Sequence, residues 1–166
     1  MTVAAQSPPD IRALLERSGF AFEVIACDPD LADTAVFCRE YGYAMEHSAN
    51  TILVKSKTGE RKFAACIVLA TCRLDVNKTI RKRLGARKVS FATPEETREL
   101  TGMELGGVTA FNLPGSLPLW VDQRVMDCPE IILGGGNRSS KIIVDPAILA
   151  TLAQTEIVDG LAMEIT

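Results

Sequence analysis

Two glycine-rich segments are the strongest candidates for chemistry in this chain. One runs from Thr101 to Phe111 and contains Gly106-Gly107, and the other is Gly134-Gly135-Gly136-Asn137-Arg138. Both lie beside apolar, strand-like residues, and glycines at strand ends let a ligand approach backbone N–H and C=O groups closely. Tight turns at sheet corners give the same pattern. The glycines therefore predict either a backbone-lined binding site or two structural turns.

The side chains that usually supply a nucleophile and its base are scarce. His47 is the only histidine and lies in a polar stretch, whereas serine and cysteine nucleophiles need a histidine partner. The five cysteines include no Cys-x-x-Cys pair, so no zinc site is indicated and we expect neither metal nor cofactor. A Walker loop is also excluded, because no glycine directly precedes Lys141. Nucleotide binding by residues 134–138 is a weaker alternative.

One segment, residues 77–88, is strongly basic. It holds six basic residues and no acidic one, while the rest of the chain has 12 basic against 21 acidic residues. A concentrated positive patch on an acidic body can attract a phosphate backbone locally. A solvated helix face would have the same composition, so the pattern alone leaves both interpretations open.

Composition limits the class of protein. A chain of 166 residues with 47% hydrophobic and 23% charged residues suits one globular domain with its own core. The N-terminus lacks the features of a signal peptide, and no apolar run reaches membrane-spanning length. We therefore expect a cytoplasmic protein that does not bind membranes.

Alternating helix and strand signals predict the elements that position these segments. The predicted helices cover about 8–18, a segment that is capped by Asp33 or Thr34 and ends near 42, the basic segment with Asp75 as its cap, 94–101, and 146 to about 152. The predicted strands cover 20–26, 51–55, 62–70, 88–92, 108–111, 117–121, 130–133 and 141–144, with 157–166 forming an edge strand or fraying. Thr93-Pro94-Glu95-Glu96 is a helix start with a capping residue and a glutamate three positions later. Because helices separate only some strands, a mixed sheet is favoured over a doubly wound parallel sheet.

The order of these pieces resembles the YbaK and prolyl-tRNA-editing (ProX-like) family. The most specific part is Gly106-Gly107-Val108-Thr109 with Phe111, followed by Leu117 to Asp122 and the later glycine segment. The resemblance covers about residues 10 to 153. It implies an α+β fold with a curved, partly barrel-like mixed sheet surrounded by helices, one editing domain over residues 1–166.

The resemblance also implies a reaction and a site. Members hydrolyse the ester between a mischarged amino acid and the terminal adenosine of tRNA, and the substrate's ribose hydroxyl helps to orient the water. By position, the implied catalytic residues are Asn50, Gly106 and Gly107. The implied substrate-binding residues are Thr51, Thr109, Phe111, Asp122, Gly134, Gly135, Gly136 and Lys141. For Asp122, capping of the next turn is an equal alternative. The expected tRNA contacts are Lys78, Arg81, Lys82 and Arg83.

This chain departs from the family pattern at one position that matters for chemistry. Family members commonly carry a lysine where this chain has Asn50, and asparagine donates hydrogen bonds without supplying a charge. Lys55 is five residues further along a predicted strand and should face the other side of the sheet. Lys141 is the better candidate for a replacement cation.

The leading hypothesis is a trans-acting deacylase for tRNA that carries a small amino acid, with tRNA-Pro as a candidate. The expected partners are the aminoacyl-tRNA acceptor end and an aminoacyl-tRNA synthetase, with no DNA. A non-catalytic module that binds tRNA or a synthetase is a second hypothesis, motivated by Asn50. A domain that binds a small ligand or nucleotide through residues 134–138 is the third.

Overall fold

A five-stranded mixed sheet forms the centre of the protein in the computed structural model, which describes residues 7–165. The strands in chain order are β1 (Phe22–Ala26), β2 (Ala49–Ser56), β3 (Phe63–Leu69), β4 (Cys72–Leu74), β5 (Val89–Phe91), β6 (Leu119–Asp122), β7 (Ile131–Gly134), β8 (Ser140–Val144), β9 (Thr155–Val158) and β10 (Ala162–Glu164). The central sheet has the order β5-β2-β3-β6-β9. Its first three strands are antiparallel neighbours, and β6 and β9 run parallel to β3. The mixed sheet predicted from the sequence is confirmed.

Two smaller sheets complete the strand architecture. Strands β1, β8 and β7 form an antiparallel sheet, and β10 pairs with β4. A bridge between Ser48 and Ile132 joins the start of β2 to β7. The strands of the described residues do not close into a barrel.

The helices lie around these sheets. They are α1 (Pro9–Arg17), α2 (Thr34–Tyr41), α3 (Arg81–Leu84), α4 (Pro94–Thr101) and α5 (Gln123–Met126), with 3₁₀ turns at Pro29–Leu31, Met45–His47 and Pro146–Thr151. The predicted capping box of α4 is present: the Glu96 amide donates to Thr93 Oγ1 at 3.1 Å, and the Thr93 amide donates to Glu96 Oε1 at 2.9 Å. No helix between residues 7 and 165 has the length and apolar character needed to cross a bilayer.

The basic segment is less regular than predicted. One turn of π-helix at Val76–Ile80 precedes the short helix α3. Asp75 does not cap this element with its side chain and instead accepts a hydrogen bond from Thr79 Oγ1 at 2.8 Å. Ile80 and Leu84 are buried in the core as expected, and the exposed side chains of Lys78, Arg81 and Lys82 lie on the outer side of the segment.

The prediction of a strand over 108–111 is wrong. These residues are buried but lie in an irregular connection between α4 and β6. Asn112 has a φ of +62°, a left-handed conformation that is incompatible with continuing an extended strand. The apolar composition of residues 108–111 therefore indicated that they are buried, but they do not form a hydrogen-bonded strand.

Candidate active site

A cavity of about 230 Å³ lies where the central sheet meets the β1-β8-β7 sheet. Four segments supply its walls: the start of α2, the start of β2, the turn at Leu105-Gly106 and the end of β7 together with Lys141 of β8. The complete lining is Asp33, Thr34, Phe37, Ser48, Ala49, Asn50, Thr51, Ile52, Leu105, Gly106, Val108, Ile132, Leu133, Gly134 and Lys141.

Asn50 presents a neutral hydrogen-bond donor to this cavity. Its side-chain oxygen accepts a hydrogen bond from Thr34 Oγ1 at 2.5 Å, which fixes the orientation of the amide. Among residues 7–165 the amide nitrogen of Asn50 has no hydrogen-bond acceptor. Its two N–H groups are available for a ligand, since an asparagine amide carries both a carbonyl acceptor and two donors.

Lys141 presents a cation to the same cavity. Only 5% of the residue is exposed, and its ammonium donates to the carbonyl oxygens of Ala32 at 2.6 Å and Gly106 at 3.1 Å. The ammonium also lies 5.3 Å from the centre of the Phe37 ring. Burial, the largest cause, lowers the pKa of Lys141 below its ordinary value. An ammonium has three donors, so one remains after the two carbonyl contacts.

Arg138 holds two of the cavity walls together from outside the lining. Its guanidinium donates to the carbonyl oxygen of Pro29 at 2.8 and 3.0 Å and to that of Leu105 at 2.7 Å. It also lies 3.3 Å from the Asp33 carboxylate. A guanidinium group holds its N–H donors in one rigid plane, which suits binding several oxygen atoms at once. Arg138 and Lys141 therefore connect the second glycine segment both to the region before α2 and to the Leu105-Gly106 turn.

The glycines behind the cavity allow the two turns to pack directly on each other. A Cβ atom on Gly107 would overlap the backbone of Asn137, and one on Gly134 would lie 2.6 Å from the carbonyl oxygen of Val108. The Gly136 amide donates to the Gly107 carbonyl at 2.8 Å. Close backbone approach, which only glycine permits, explains this cluster.

The structure brings some of the site residues predicted from the sequence together and separates others from the cavity. Those in the lining are Asn50, Thr51, Gly106, Gly134 and Lys141. Those outside the lining are Gly107, Thr109, Phe111, Asp122, Gly135 and Gly136. Gly107, Gly135 and Gly136 support the wall from behind, while Thr109 and Phe111 are fully buried in the core.

Asp122 lies away from the cavity. It precedes the first residue of α5 and is fully buried, and its side chain makes no capping hydrogen bond to that helix. Burial, the largest cause, raises the pKa of this carboxyl group, while the backbone near Ala162 acts in the opposite direction. This location favours a structural role for Asp122 at the end of β6.

Sequence reasoning missed the contribution of α2. Asp33, Thr34 and Phe37 all line the cavity, although the sequence indicated only that Asp33 or Thr34 begins a helix. The hydrogen bond between Thr34 and Asn50 spans 16 positions of the chain. The residues that start a helix act locally, so they do not indicate against which part of the fold the start of the helix packs.

The basic residues of the α3 segment separate into two groups. Lys78, Arg81 and Lys82 are exposed and line a groove with Arg87. Arg83 turns inward instead, where it pairs with Glu156 and lies 4.8 Å from the centre of the Trp120 ring.

Comparisons with known proteins agree with one another. The model of the aminoacyl-tRNA editing domain family matches residues 28–152. The multifunctional Ser/Thr-tRNA deacylase ProXp-y of Escherichia coli (strain K12) is 26% identical over 149 residues, which cover 89% of this chain and 88% of that protein. The crystal structure of a hypothetical protein aligns with a TM-score of 0.80 at 20% identity, covering 93% of this chain and 99% of the other. A proposed trans-editing enzyme for prolyl tRNA synthetase aligns with a TM-score of 0.75 at 25% identity, covering 93% and 98%.

Proposed function

We propose, from the premise that this chain belongs to the aminoacyl-tRNA editing domain family, that it is a trans-acting aminoacyl-tRNA deacylase. The reaction is hydrolysis of the ester between an amino acid and the terminal ribose of a mischarged tRNA. The observation that carries this proposal is the cavity in which the Asn50 amide and the Lys141 ammonium each keep a donor for a ligand.

Two donors on one carbonyl oxygen suit ester hydrolysis. As water attacks the ester carbon, negative charge develops on the carbonyl oxygen, and positioned donors stabilise it. The carbon–oxygen bond to the ribose then breaks, the ribose oxygen takes the proton that the attacking water gives up, and the free amino acid leaves. We assign Asn50 and Lys141 to the carbonyl oxygen, and the Gly106 and Gly134 backbone to the surrounding wall.

The substrate supplies part of the catalysis in this proposal. His47 is not among the residues that line the cavity, so we assign orientation of the water to the free ribose hydroxyl, as the family resemblance implies. The protein then contributes position and electrostatics, which can account for a large share of a rate enhancement.

Asp33 is the acidic residue of the lining and suits the α-ammonium group of an aminoacyl ester. Its carboxylate lies 3.3 Å from Arg138 and its side chain is 72% exposed, so it is reachable from the mouth of the cavity. The α-amino group of an aminoacyl ester is positively charged, whereas the acetylated nitrogen of an N-acetylated ester is neutral. We therefore assign recognition of the free amino group to Asp33.

The amino acid is proposed to be small. The cavity, at about 230 Å³, must accept the aminoacyl group and the adjacent ribose, and it is smaller than the roughly 300–1,000 Å³ typical of small-molecule sites. Following the family resemblance, tRNA-Pro is the proposed carrier and prolyl-tRNA synthetase the proposed partner. The proposed location is the cytoplasm, which is where this substrate is expected. The groove formed by Lys78, Arg81, Lys82 and Arg87 is the proposed phosphate contact.

Single-turnover hydrolysis tests this function. Excess purified protein is mixed with tRNA-Pro that carries labelled alanine, serine, threonine or proline, and released amino acid is measured over time. We expect faster release than without protein for at least one small, mischarged amino acid. If release equals the spontaneous rate for every ester while the RNA still binds, the protein is a binding module and the proposed reaction is wrong.

A further inference from the structure

A second basic groove lies at the end of β2 opposite to the cavity. Lys55, Lys57, Arg61 and Phe91 contribute to its lining, and its volume is about 500 Å³. The cavity begins near Asn50 at the start of the same strand. We call this second surface the hairpin groove, because it includes the end of β2 and the turn that leads to β3.

The hairpin groove keeps a net positive charge after its ion pairs are counted. Lys55 and Arg61 both bind the carboxylate of Glu96, at 2.7 and 2.6 Å. One carboxylate cannot neutralise two cations. Lys57 is exposed and has no ion-pair partner among the described residues, so it adds a further uncompensated charge.

Phe91 gives the groove an exposed aromatic surface. It lies on the edge strand β5 and is 54% exposed, although large apolar side chains are usually buried. Its register partner is Val54. Residues directly opposite each other share a face of the sheet, and so do residues two apart. Phe91 therefore lies on the face that carries Asn50 and Ile52, two residues of the cavity lining.

The distance along β2 between the cavity and the strand position opposite Phe91 matches the length of a short stretch of nucleic acid. Four residues of strand from Asn50 to Val54 correspond to about 13 Å. At about 3.4 Å per nucleotide of stacked strand, about four nucleotides cover this distance.

The hairpin groove continues into the basic groove beside α3. The Lys57 amide donates to the carbonyl of Lys88 at 2.8 Å, and the Lys88 amide donates to Thr58 Oγ1 at 3.2 Å. Arg87, the neighbour of Lys88, already belongs to the α3 groove. Lys88 thus connects the hairpin that carries Lys57 to the segment that carries Arg87 of the α3 groove.

We propose that the hairpin groove binds the unpaired 3′ strand of the tRNA as it leaves the cavity, with Phe91 stacked on a base and Lys57 at a phosphate. The identity of the RNA rests on the proposed function. Single-stranded nucleic acid is held by this combination of cations that follow the backbone and aromatic rings that stack on bases. An acidic protein would match the charge but would not account for the exposed Phe91 ring among these cations.

Binding of an RNA hairpin with an acceptor stem and an unpaired CCA end tests the proposal, measured by fluorescence anisotropy. Phe91→Ala should weaken binding roughly 5- to 150-fold, the cost of losing one base stack. Phe91→Trp should restore binding, and its added fluorescence should change when RNA is bound. Lys57→Ala should reduce the slope of log affinity against log salt by about 0.7 to 0.9.

The same RNA without its unpaired end provides the first control, because it should bind the parent and Phe91→Ala equally. Met163→Ala removes another exposed apolar side chain, and Arg17→Ala removes another exposed charge. Both should bind like the parent. Melting temperatures establish that each variant is folded.

Two results separate this proposal from the proposed function. If Phe91→Ala and Lys57→Ala bind the CCA-ended hairpin with the affinity and salt slope of the parent, the hairpin groove is not an RNA site, whatever the hydrolysis assay gives. If binding depends on Phe91 but no ester is hydrolysed, the RNA site stands and the deacylase assignment fails. Loss of binding to a synthetase alone, with RNA binding unchanged, would overturn the RNA proposal.

Discussion

Replacement of Lys141 by methionine tests the chemistry of the cavity most sharply. Methionine has an unbranched apolar side chain that can occupy the space of the lysine. The change removes the charge and all three donors but leaves the Ala32 and Gly106 carbonyls in place. Removing one donor of an oxyanion site costs about 10²- to 10³-fold in rate. We therefore expect the single-turnover rate of Lys141→Met to fall by about that factor.

The effect on stability should be smaller than the effect on rate. The variant loses two charge-assisted hydrogen bonds, each contributing about 1.5–3 kcal/mol. It also removes the penalty for burying an ammonium, which acts in the opposite direction. Thermal melting should show a folded protein. Arg17→Met, at an exposed position of α1, controls for loss of one positive charge.

The pH dependence provides a second readout for Lys141. Burial lowers the pKa of this ammonium, and the protonated form is the active one in the proposed role. The acceleration over spontaneous hydrolysis should therefore fall as pH rises through that pKa, at a lower pH than an exposed lysine would give. Lys141→Met should lack this step. If the variant is folded and hydrolyses the ester at the parent rate, Lys141 takes no part in the reaction.

Three further variants test how the cavity and the hairpin groove are supported. Gly107→Ala should lower the free energy of unfolding by about 1–3 kcal/mol, because the added methyl group overlaps the Asn137 backbone; an unchanged urea midpoint would contradict the close approach. Hydrogen bonding, chiefly from Lys55, lowers the pKa of Glu96 to about 2, so the stability that it contributes is present above its ordinary pKa of 4.5 and is lost as pH falls toward about 2. Glu96→Gln should remove this part of the acid dependence in thermal melts, and identical pH profiles would refute the assignment. Arg138→Lys should lower kcat more than it raises KM, since a lysine cannot reproduce the forked hydrogen bonds that position the walls; a change in melting temperature alone would indicate a purely structural role.

Local signals in the sequence predicted the elements well. The capping box at Thr93, the left-handed glycine at Gly102 and the hairpin of β2 and β3 all appear where their residue types require. These signals work because each depends on a few neighbouring residues. The strand β10 lies within the edge strand expected over 157–166, whereas β4 was not predicted, since it has three residues and depends on pairing with positions about 90 residues further along the chain.

For the same reason, only some residues of the candidate site could be predicted from the sequence. Asn50, Gly106 and Lys141 could be selected from the family pattern and from the glycine segment, and the structure places all three in the cavity lining. The inward turn of Arg83 could not be foreseen, because it depends on contacts with Trp120 and Glu156. The position of α2 against β2 likewise depends on packing between distant segments.

The central claim is that a cavity with Asn50 in place of the family lysine still hydrolyses an aminoacyl ester. Its most direct test is single-turnover hydrolysis of a panel of mischarged tRNAs by the parent protein beside Asn50→Lys. The account predicts that the parent itself releases a small amino acid faster than the spontaneous rate, because Lys141 already supplies the cation. Activity in Asn50→Lys alone, with none in the parent, would contradict the account and identify the natural chain as a binding module.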